Sequence, residues 1–107
     1  CSGDYANQGC NGGLMDNAFQ YMIKVGGLAT EADYPYTATD GTCNNGVKRQ
    51  GKITGYTDVT VNDPEALKAA LDSQPVSVAI EADQSVFQFY TGGVINDDSC
   101  GTQLDHG

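Results

Sequence analysis

The end of the sequence carries its only histidine, the side chain best suited to move protons near neutral pH. His106 stands between Asp105 and Gly107, and the glycine leaves space beside the imidazole ring. An imidazole can take a proton from a thiol or a hydroxyl group and return it to a leaving group. The placement favours a catalytic base, although a lone histidine is more often a surface residue or a satisfied core residue.

A second stretch with chemical use places Cys10 shortly before the adjacent glycines Gly12 and Gly13. Adjacent glycines lack Cβ atoms, so another chain can approach their backbone N–H and C=O groups closely. Such a backbone suits the rim of a peptide-binding site. The other interpretation is a disulfide-anchored turn before a helix, and the spacing alone does not decide between the two.

Three further motifs lack what their chemistry requires. Residues 41–46 have the glycine spacing of a phosphate-binding loop, but Val-Lys-Arg follows where Lys-Ser or Lys-Thr is needed. The cysteines are too far apart for a Cys-x-x-Cys pair, and one histidine does not complete a structural zinc site. Asp97 and Asp98 are more typical of a solvated turn than of a calcium site. We therefore expect no metal and no cofactor.

Length, charge and cysteine count restrict the class of protein. The 107 residues suffice for one small domain, and the net charge of -9 argues against binding to nucleic acid or anionic lipid. No apolar run approaches the length of a membrane span. Four cysteines fit a secreted or lumenal protein, and they allow three full pairings that sequence alone does not choose among.

Two helices are expected to position these residues. Apolar spacing predicts a helix from Asp16 to about Val25, with the acid at its positive end and glycines 26 and 27 ending it. A second helix is predicted from Pro64 to about Ser73, because residues 62–65 offer a cap, a proline suited to the first turn and an early acid.

The remaining segments are predicted to be extended or loop. Residues 76–82 are apolar and partly β-branched, which predicts a largely buried strand, and residues 51–61 predict an extended crossing segment. Residues 86–90 are compatible with either a helical turn or a strand. Residues 1–13 and 28–50 are rich in turn signals and predict loops.

Five collinear segments of the chain resemble papain-family cysteine endopeptidases, most closely the cathepsin L-like branch. The segments are GCNGGLM (9–15), YPY (34–36), QPVSVAI (74–80), FYTGGV (89–94) and LDHG (104–107). Each is a weak signal alone, whereas their common order over the whole chain is specific. The resemblance implies an α+β, papain-like two-lobe fold, incomplete in this chain, with residues 1–57 in the helical lobe and 58–107 in the β-rich, barrel-like lobe.

The resemblance also implies roles for individual residues. His106 matches the catalytic histidine, which forms an ion pair with a thiolate and protonates the leaving amine. Gly13 matches the glycine that pairs with the substrate backbone, beside the substrate-binding Gly12, and Asp105 supplies a carbonyl to the same backbone. The walls of an apolar pocket for the second residue before the cut match Leu14, Met15, Ala79 and Gly107.

Other family residues lie outside this chain in family order. The nucleophilic cysteine and the oxyanion-hole glutamine come before Cys1, and the asparagine that orients the histidine comes after Gly107. We therefore expect these residues to be the middle of a catalytic domain and to be inactive alone. By the same resemblance Cys1 pairs with Cys43, while Cys10 and Cys100 have partners outside the chain.

The resemblance extends to partners and location. It implies protein or peptide substrates, propeptide or cystatin-like inhibitors, a monomer when complete, and a lysosomal, vacuolar or secreted protein. The rival class is a small disulfide-stabilised binding or inhibitor module without catalysis. That class explains the cysteines, the glycines and the acidic charge, but not the five collinear motifs.

Overall fold

Three α-helices account for the regular secondary structure of the chain. In the computed structural model, which describes residues 1–107, they are α1 (Met15–Val25), α2 (Pro64–Leu71) and α3 (Ser85–Gln88). Short 3₁₀ turns lie at Gly3–Tyr5, Gly9–Asn11 and Asp98–Cys100. None of the helices is long and apolar enough to cross a membrane.

Two compact units divide the chain. Unit 1 runs from Cys1 to Asp63 and unit 2 from Pro64 to Gly107. Unit 1 holds α1, and unit 2 holds α2 and α3. The lobe boundary expected near residue 57 is not the same as this division between units, and it stays a prediction.

Helix α1 confirms the first predicted helix, and its end shows why the two glycines stop it. Gly26 has a φ of 80° in the left-handed region, which glycine adopts at little cost. Its N–H donates to the Ile23 carbonyl at 3.3 Å, and the N–H of Gly27 donates to the Met22 carbonyl at 2.9 Å. This pair of bonds is a Schellman motif, which satisfies the carbonyls that the helix leaves unpaired.

Aromatic contacts hold α1 within unit 1. The Tyr21 ring lies edge-on to Tyr5 with centroids 5.9 Å apart, and the Arg49 guanidinium lies 5.9 Å from the centroid of the same ring. Phe19 packs against Tyr56 at 5.6 Å between centroids. These contacts fix the helix to loops before and after it in the sequence, so its N-terminus has a defined direction.

Unit 2 contains the second predicted helix in slightly shorter form. Helix α2 begins at Pro64, where the missing N–H costs nothing, has Glu65 in its first turn and ends at Leu71 rather than near Ser73. The ambiguous segment 86–90 forms a helical turn, α3, which ends at Gln88.

The predicted strand over residues 76–82 is wrong in this structure. Only Ile80 pairs, in an isolated antiparallel bridge with His106. A strand requires a neighbour along its length, and no other segment of unit 2 hydrogen-bonds in a ladder with residues 76–79. The expected burial is also absent, because Val78 is 44 % exposed. Residues 52–61, part of the predicted extended segment, form no helix and pair with no strand.

No hydrophobic side chain is buried in residues 1–107. Leu14 is 65 % exposed and Phe89 is 79 % exposed, although both are of the type usually found inside proteins. Turns, side-chain hydrogen bonds, the aromatic contacts of α1 and one disulfide therefore define the conformation of these residues.

Candidate active site

The glycine rim of unit 1, residues 12–14, is held by Asn7. The Asn7 Oδ1 accepts the backbone N–H of Leu14 at 2.9 Å, and its Nδ2 donates to the Ser2 hydroxyl at 2.9 Å. The Gln8 N–H donates to the Gly12 carbonyl at 2.8 Å, which closes the loop. Asn7 is half-buried and Leu14 is the N-terminal cap residue of α1, so the rim is fastened directly to the start of the helix.

Gly13 presents a free backbone between these fixed neighbours. No hydrogen bond uses its N–H or its C=O, and the residue is exposed. A Cβ at this position would overlap the Asn7 side chain, which explains why the position needs glycine. A fixed and unpaired peptide group can pair with an extended peptide in the manner of an added strand.

The apolar residues after the rim differ in exposure. Leu14 is exposed, whereas Met15 begins α1 and is half-buried. The rim and these two side chains are consecutive in the sequence, so unit 1 presents backbone donors and acceptors next to apolar surface.

His106 in unit 2 is held by its backbone against Ile80. The Ile80 N–H donates to the His106 carbonyl at 2.8 Å, and the Ile80 carbonyl accepts the N–H groups of His106 at 3.1 Å and Asp105 at 3.0 Å. Two consecutive residues therefore oppose one, which is the arrangement of a β-bulge. Bulges of this kind occur beside active sites, where they direct a side chain away from the regular pleat.

The His106 side chain is exposed and makes no hydrogen bond within the chain. Its neighbours Asp105 and Gly107 are exposed as well, as is Ala79, which precedes the bridge residue Ile80. The bridge between Ile80 and His106 thus brings together the four predicted site residues of unit 2, which are Ala79, Asp105, His106 and Gly107. The imidazole is available to a further group, since no partner within residues 1–107 occupies it.

Two carboxylates hold the segment that carries His106, and the sequence did not predict this role for either of them. The Asp105 Oδ1 accepts the Ala82 N–H at 2.7 Å, in addition to the role expected for the Asp105 carbonyl. The Glu81 Oε2 accepts the Gln103 N–H at 2.6 Å. The sequence signal is the placement of an acid directly after Ile80, but its partner lies 22 residues away and no local pattern specifies it.

The cysteines take the states that the resemblance implied. Cys1 and Cys43 form a disulfide with Cα atoms 5.1 Å apart, whereas Cys10 and Cys100 are free thiols in this chain. The Cys100 Sγ lies 3.2 Å from the Asp97 carbonyl oxygen. Whether Cys10 and Cys100 have partners beyond residues 1–107 stays a prediction.

The surroundings of Cys10 are acidic and hydroxylic. The Cys10 N–H donates to the Asp40 carboxylate at 2.8 Å. A hydrogen bond to Cys10 raises the pKa of the Tyr36 hydroxyl, with further increases from the electrostatic influence of the same residue, from burial and from Asp40. These neighbours include no imidazole, lysine or arginine, so they do not form the cationic surroundings of an activated cysteine.

Comparison with known proteins gives a consistent assignment. Residues 1–107 match the profile described as papain family cysteine protease. The chain is 55 % identical over 109 residues to the probable cysteine protease RD21B of Arabidopsis thaliana, covering 100 % of this chain and 23 % of that protein. It is 56 % identical over 108 residues to germination-specific cysteine protease 1 of the same plant, covering 99 % of this chain and 28 % of that protein.

A solved structure agrees with these sequence matches. The bromelain protease from Ananas comosus, solved in complex with the E64 inhibitor, superposes with a TM-score of 0.80 at 42 % identity, covering 94 % of this chain and 46 % of that chain. The chain belongs to the papain family of cysteine proteases and has the papain-like α+β fold. It spans less than a third of the length of the two curated relatives and less than half of the bromelain chain.

Proposed function

We propose that this chain is part of a cysteine endopeptidase, to which it contributes the acid–base histidine and part of the substrate-binding backbone. The observation that carries the proposal is His106, whose backbone is bonded in both directions to Ile80 while its imidazole has no partner in the chain. A general base must be fixed in position yet free to take a proton, and His106 meets both conditions.

The proposed reaction is acyl transfer from a peptide to a cysteine thiolate. The thiolate, paired with the His106 imidazolium, attacks the peptide carbonyl carbon, and the imidazolium donates its proton to the leaving amine as the C–N bond breaks. The neutral imidazole then takes a proton from the attacking water, the C–S bond of the thioester breaks, and the thiolate leaves paired once more with the imidazolium.

The nucleophile in this proposal lies outside residues 1–107. Cys1 and Cys43 are consumed by their disulfide. The Cys100 thiol faces the Asp97 carbonyl rather than an imidazole, and Cys10 has acidic and phenolic neighbours. An orienting asparagine outside residues 1–107 would hold His106 in the productive ring orientation.

Free backbone groups are available for substrate binding. The N–H and C=O of Gly13 and the carbonyl of Asp105 make no hydrogen bond in the chain, so each is available to a peptide backbone. By the family resemblance we assign Leu14, Met15, Ala79 and Gly107 to the side chain of the second residue before the cut. None of the four carries a charge, which favours a bulky apolar side chain over a cation.

The test is turnover of a fluorogenic peptide by the full-length protein and its His106→Ala variant. We expect the wild type to hydrolyse the peptide and the variant to lose most turnover, because neither thiolate formation nor amine protonation would be supported. Asp98→Asn, an exposed change in the same unit, is the matched control and should retain activity. A His106→Ala variant with wild-type turnover would overturn the proposal, and so would hydrolysis by purified residues 1–107 alone.

The binding-module alternative makes a different prediction in the same assay. It expects no turnover from the wild type at any substrate concentration, so that His106→Ala changes nothing. Family membership and the uncommitted imidazole favour the endopeptidase.

Location and partners follow from the same proposal. A disulfide between Cys1 and Cys43 persists in an oxidising or lumenal setting, which supports a lysosomal, vacuolar or secreted protein. A propeptide or a cystatin-like inhibitor would occupy the Gly13 backbone in place of substrate. The corresponding measurement is inhibition of the full-length protein by a cystatin-like inhibitor. We expect it to be weaker in a Gly13→Ala variant than in the wild type.

A further inference from the structure

Glu81 lies directly after the bridge residue Ile80, and both of its carboxylate oxygens are engaged. The Oε2 accepts the backbone N–H of Gln103 at 2.6 Å, and the Oε1 accepts the Gln84 Nε2 at 2.6 Å. The side chain is half-buried. A carboxylate that accepts from a backbone N–H forms one of the stronger hydrogen bonds in proteins.

The segment bonded by Glu81 also packs closely against it. Gly101 has a φ of +74°, and a Cβ there would overlap the Glu81 carboxylate. The turn at residues 101–103 is therefore shaped around Glu81. The close approach and the hydrogen bond are separate observations that indicate the same contact.

This contact is one of three attachments that define the path of the chain to His106. The Gln103 N–H is fixed by Glu81, the Asp105 Oδ1 accepts the Ala82 N–H, and the bulge fixes the backbone of Asp105 and His106 to Ile80. An isolated bridge holds a segment weakly, because it lacks the neighbouring bonds of a ladder. The bond from Gln103 to Glu81 limits rotation of the segment about the bridge.

We propose that Glu81 is a positioning residue for His106 and that it acts as a hydrogen-bond acceptor, not through its charge. This inference rests on the proposed endopeptidase function. A displaced catalytic group loses rate steeply with distance, so loss of the Gln103 attachment should lower kcat by about ten- to a hundredfold. The kcat is the decisive readout, because KM also depends on Asp105 and Gly107, which lie on the same segment.

Asp83 provides a matched control for the charge. Its Oδ1 accepts from the Gln84 Nε2 at 3.1 Å, and no hydrogen bond joins it to residues 101–106. Asp83→Ala therefore removes the same formal charge from the same segment without touching the histidine attachment.

The experiment compares Glu81→Ala, Glu81→Gln and Asp83→Ala in the full-length protein. The readouts are kcat, KM and the hydrogen-exchange rates of the Gln103 and His106 amides. We expect Glu81→Ala to lower kcat and to speed exchange at both amides. Asp83→Ala should match the wild type. Glu81→Gln should stay within about threefold of wild-type kcat, because the amide oxygen can still accept the Gln103 N–H, and the Gln84 amide can turn to present its oxygen to the new NH₂ group.

Three results would overturn the proposal: wild-type kcat in Glu81→Ala, unchanged amide exchange in that variant, or a Glu81→Gln variant as impaired as Glu81→Ala. The last result would assign the effect to charge. If Glu81→Ala does not fold, a Glu81→Gln variant with kcat more than about threefold below the wild type overturns the proposal by itself. If the wild-type protein hydrolyses no peptide, the proposed function fails. The exchange rates then still decide whether Glu81 fixes the segment.

Discussion

Asn7 and Leu14 are joined by a hydrogen bond of 2.9 Å from the Leu14 backbone N–H to the Asn7 Oδ1. Leu14 is the residue that caps α1, and its own side chain cannot accept a hydrogen bond. An oxygen from seven residues earlier in the chain therefore fixes the entrance of the helix and encloses Gly13 between two held neighbours.

Replacing Asn7 by Ala should loosen the glycine rim. The Leu14 N–H would lose its acceptor, and we expect the full-length protein to lose about 1 kcal/mol of unfolding free energy and to bind peptide more weakly. Asn7→Asp is the control, since it keeps the Oδ1 acceptor and can accept from the Ser2 hydroxyl. Denaturant unfolding and KM measure the two effects. Equal values for the wild type and Asn7→Ala would contradict the assignment.

Replacing Gly13 by Ala should destabilise the rim by overlap with Asn7. We expect a loss of about 1–3 kcal/mol, because the Asn7 side chain must leave its position to make room. The Asn7→Gly background removes that overlap, so the two changes should combine to less than their sum in a double-mutant cycle. Gly3→Ala is the control, as a Cβ there meets nothing within 4 Å. Additive effects would argue against the contact.

Removing the Cys1–Cys43 disulfide should lower stability substantially. The bond joins residues with a sequence separation of 42, and closure of such a loop stabilises by roughly 4 kcal/mol in the chain-entropy model. The Cys1→Ser, Cys43→Ser double variant should unfold at a lower denaturant concentration. Non-reducing peptide mapping of the wild type provides the second check. A Cys10–Cys100 peptide, or the absence of a Cys1–Cys43 peptide, would show the pairing to be wrong.

The turn at Asp97 should open in acid. Bonds from the Ser99 hydroxyl and then the Ser99 N–H hold the pKa of the Asp97 carboxyl below its usual value. Because the folded pKa is lowered, the stabilisation is present above the unfolded pKa of about 3.9 and is lost as the pH falls through the folded pKa. A carboxyl titration by NMR should show a lower midpoint in the wild type than in Ser99→Ala. Equal midpoints would show that the Ser99 hydroxyl does not lower the pKa of Asp97.

Enlarging residue 79 should change substrate preference. If Ala79 lines the space for the second residue before the cut, Ala79→Leu reduces that space and should shift preference from Leu or Phe towards smaller side chains. Profiling of the full-length wild type and variant with a peptide library measures this directly. A wild-type preference for Arg at that position would contradict the apolar assignment, and an unchanged profile in Ala79→Leu would remove residue 79 from it.

Features that depend on neighbouring residues or on recognisable motifs follow from the sequence alone. Helix α1 ends where Gly26 can adopt a left-handed conformation, and α2 begins where Pro64 loses nothing by lacking an N–H. These signals act within one turn of chain, so they can be interpreted without a fold. The five collinear motifs likewise identified the papain family, and LDHG and GCNGG supplied His106 and Gly13 as site candidates.

How the candidate site residues are held depends on contacts between distant parts of the chain. The Glu81–Gln103 bond joins residues 22 apart, and the pairing of Ile80 with Asp105 and His106 spans a similar distance. No periodicity specifies such partners, because a hydrogen bond between distant residues depends on the path of all the chain between them. The same reason explains the wrong strand at residues 76–82: its composition suits a strand, but pairing requires a neighbour, and only Ile80 has one.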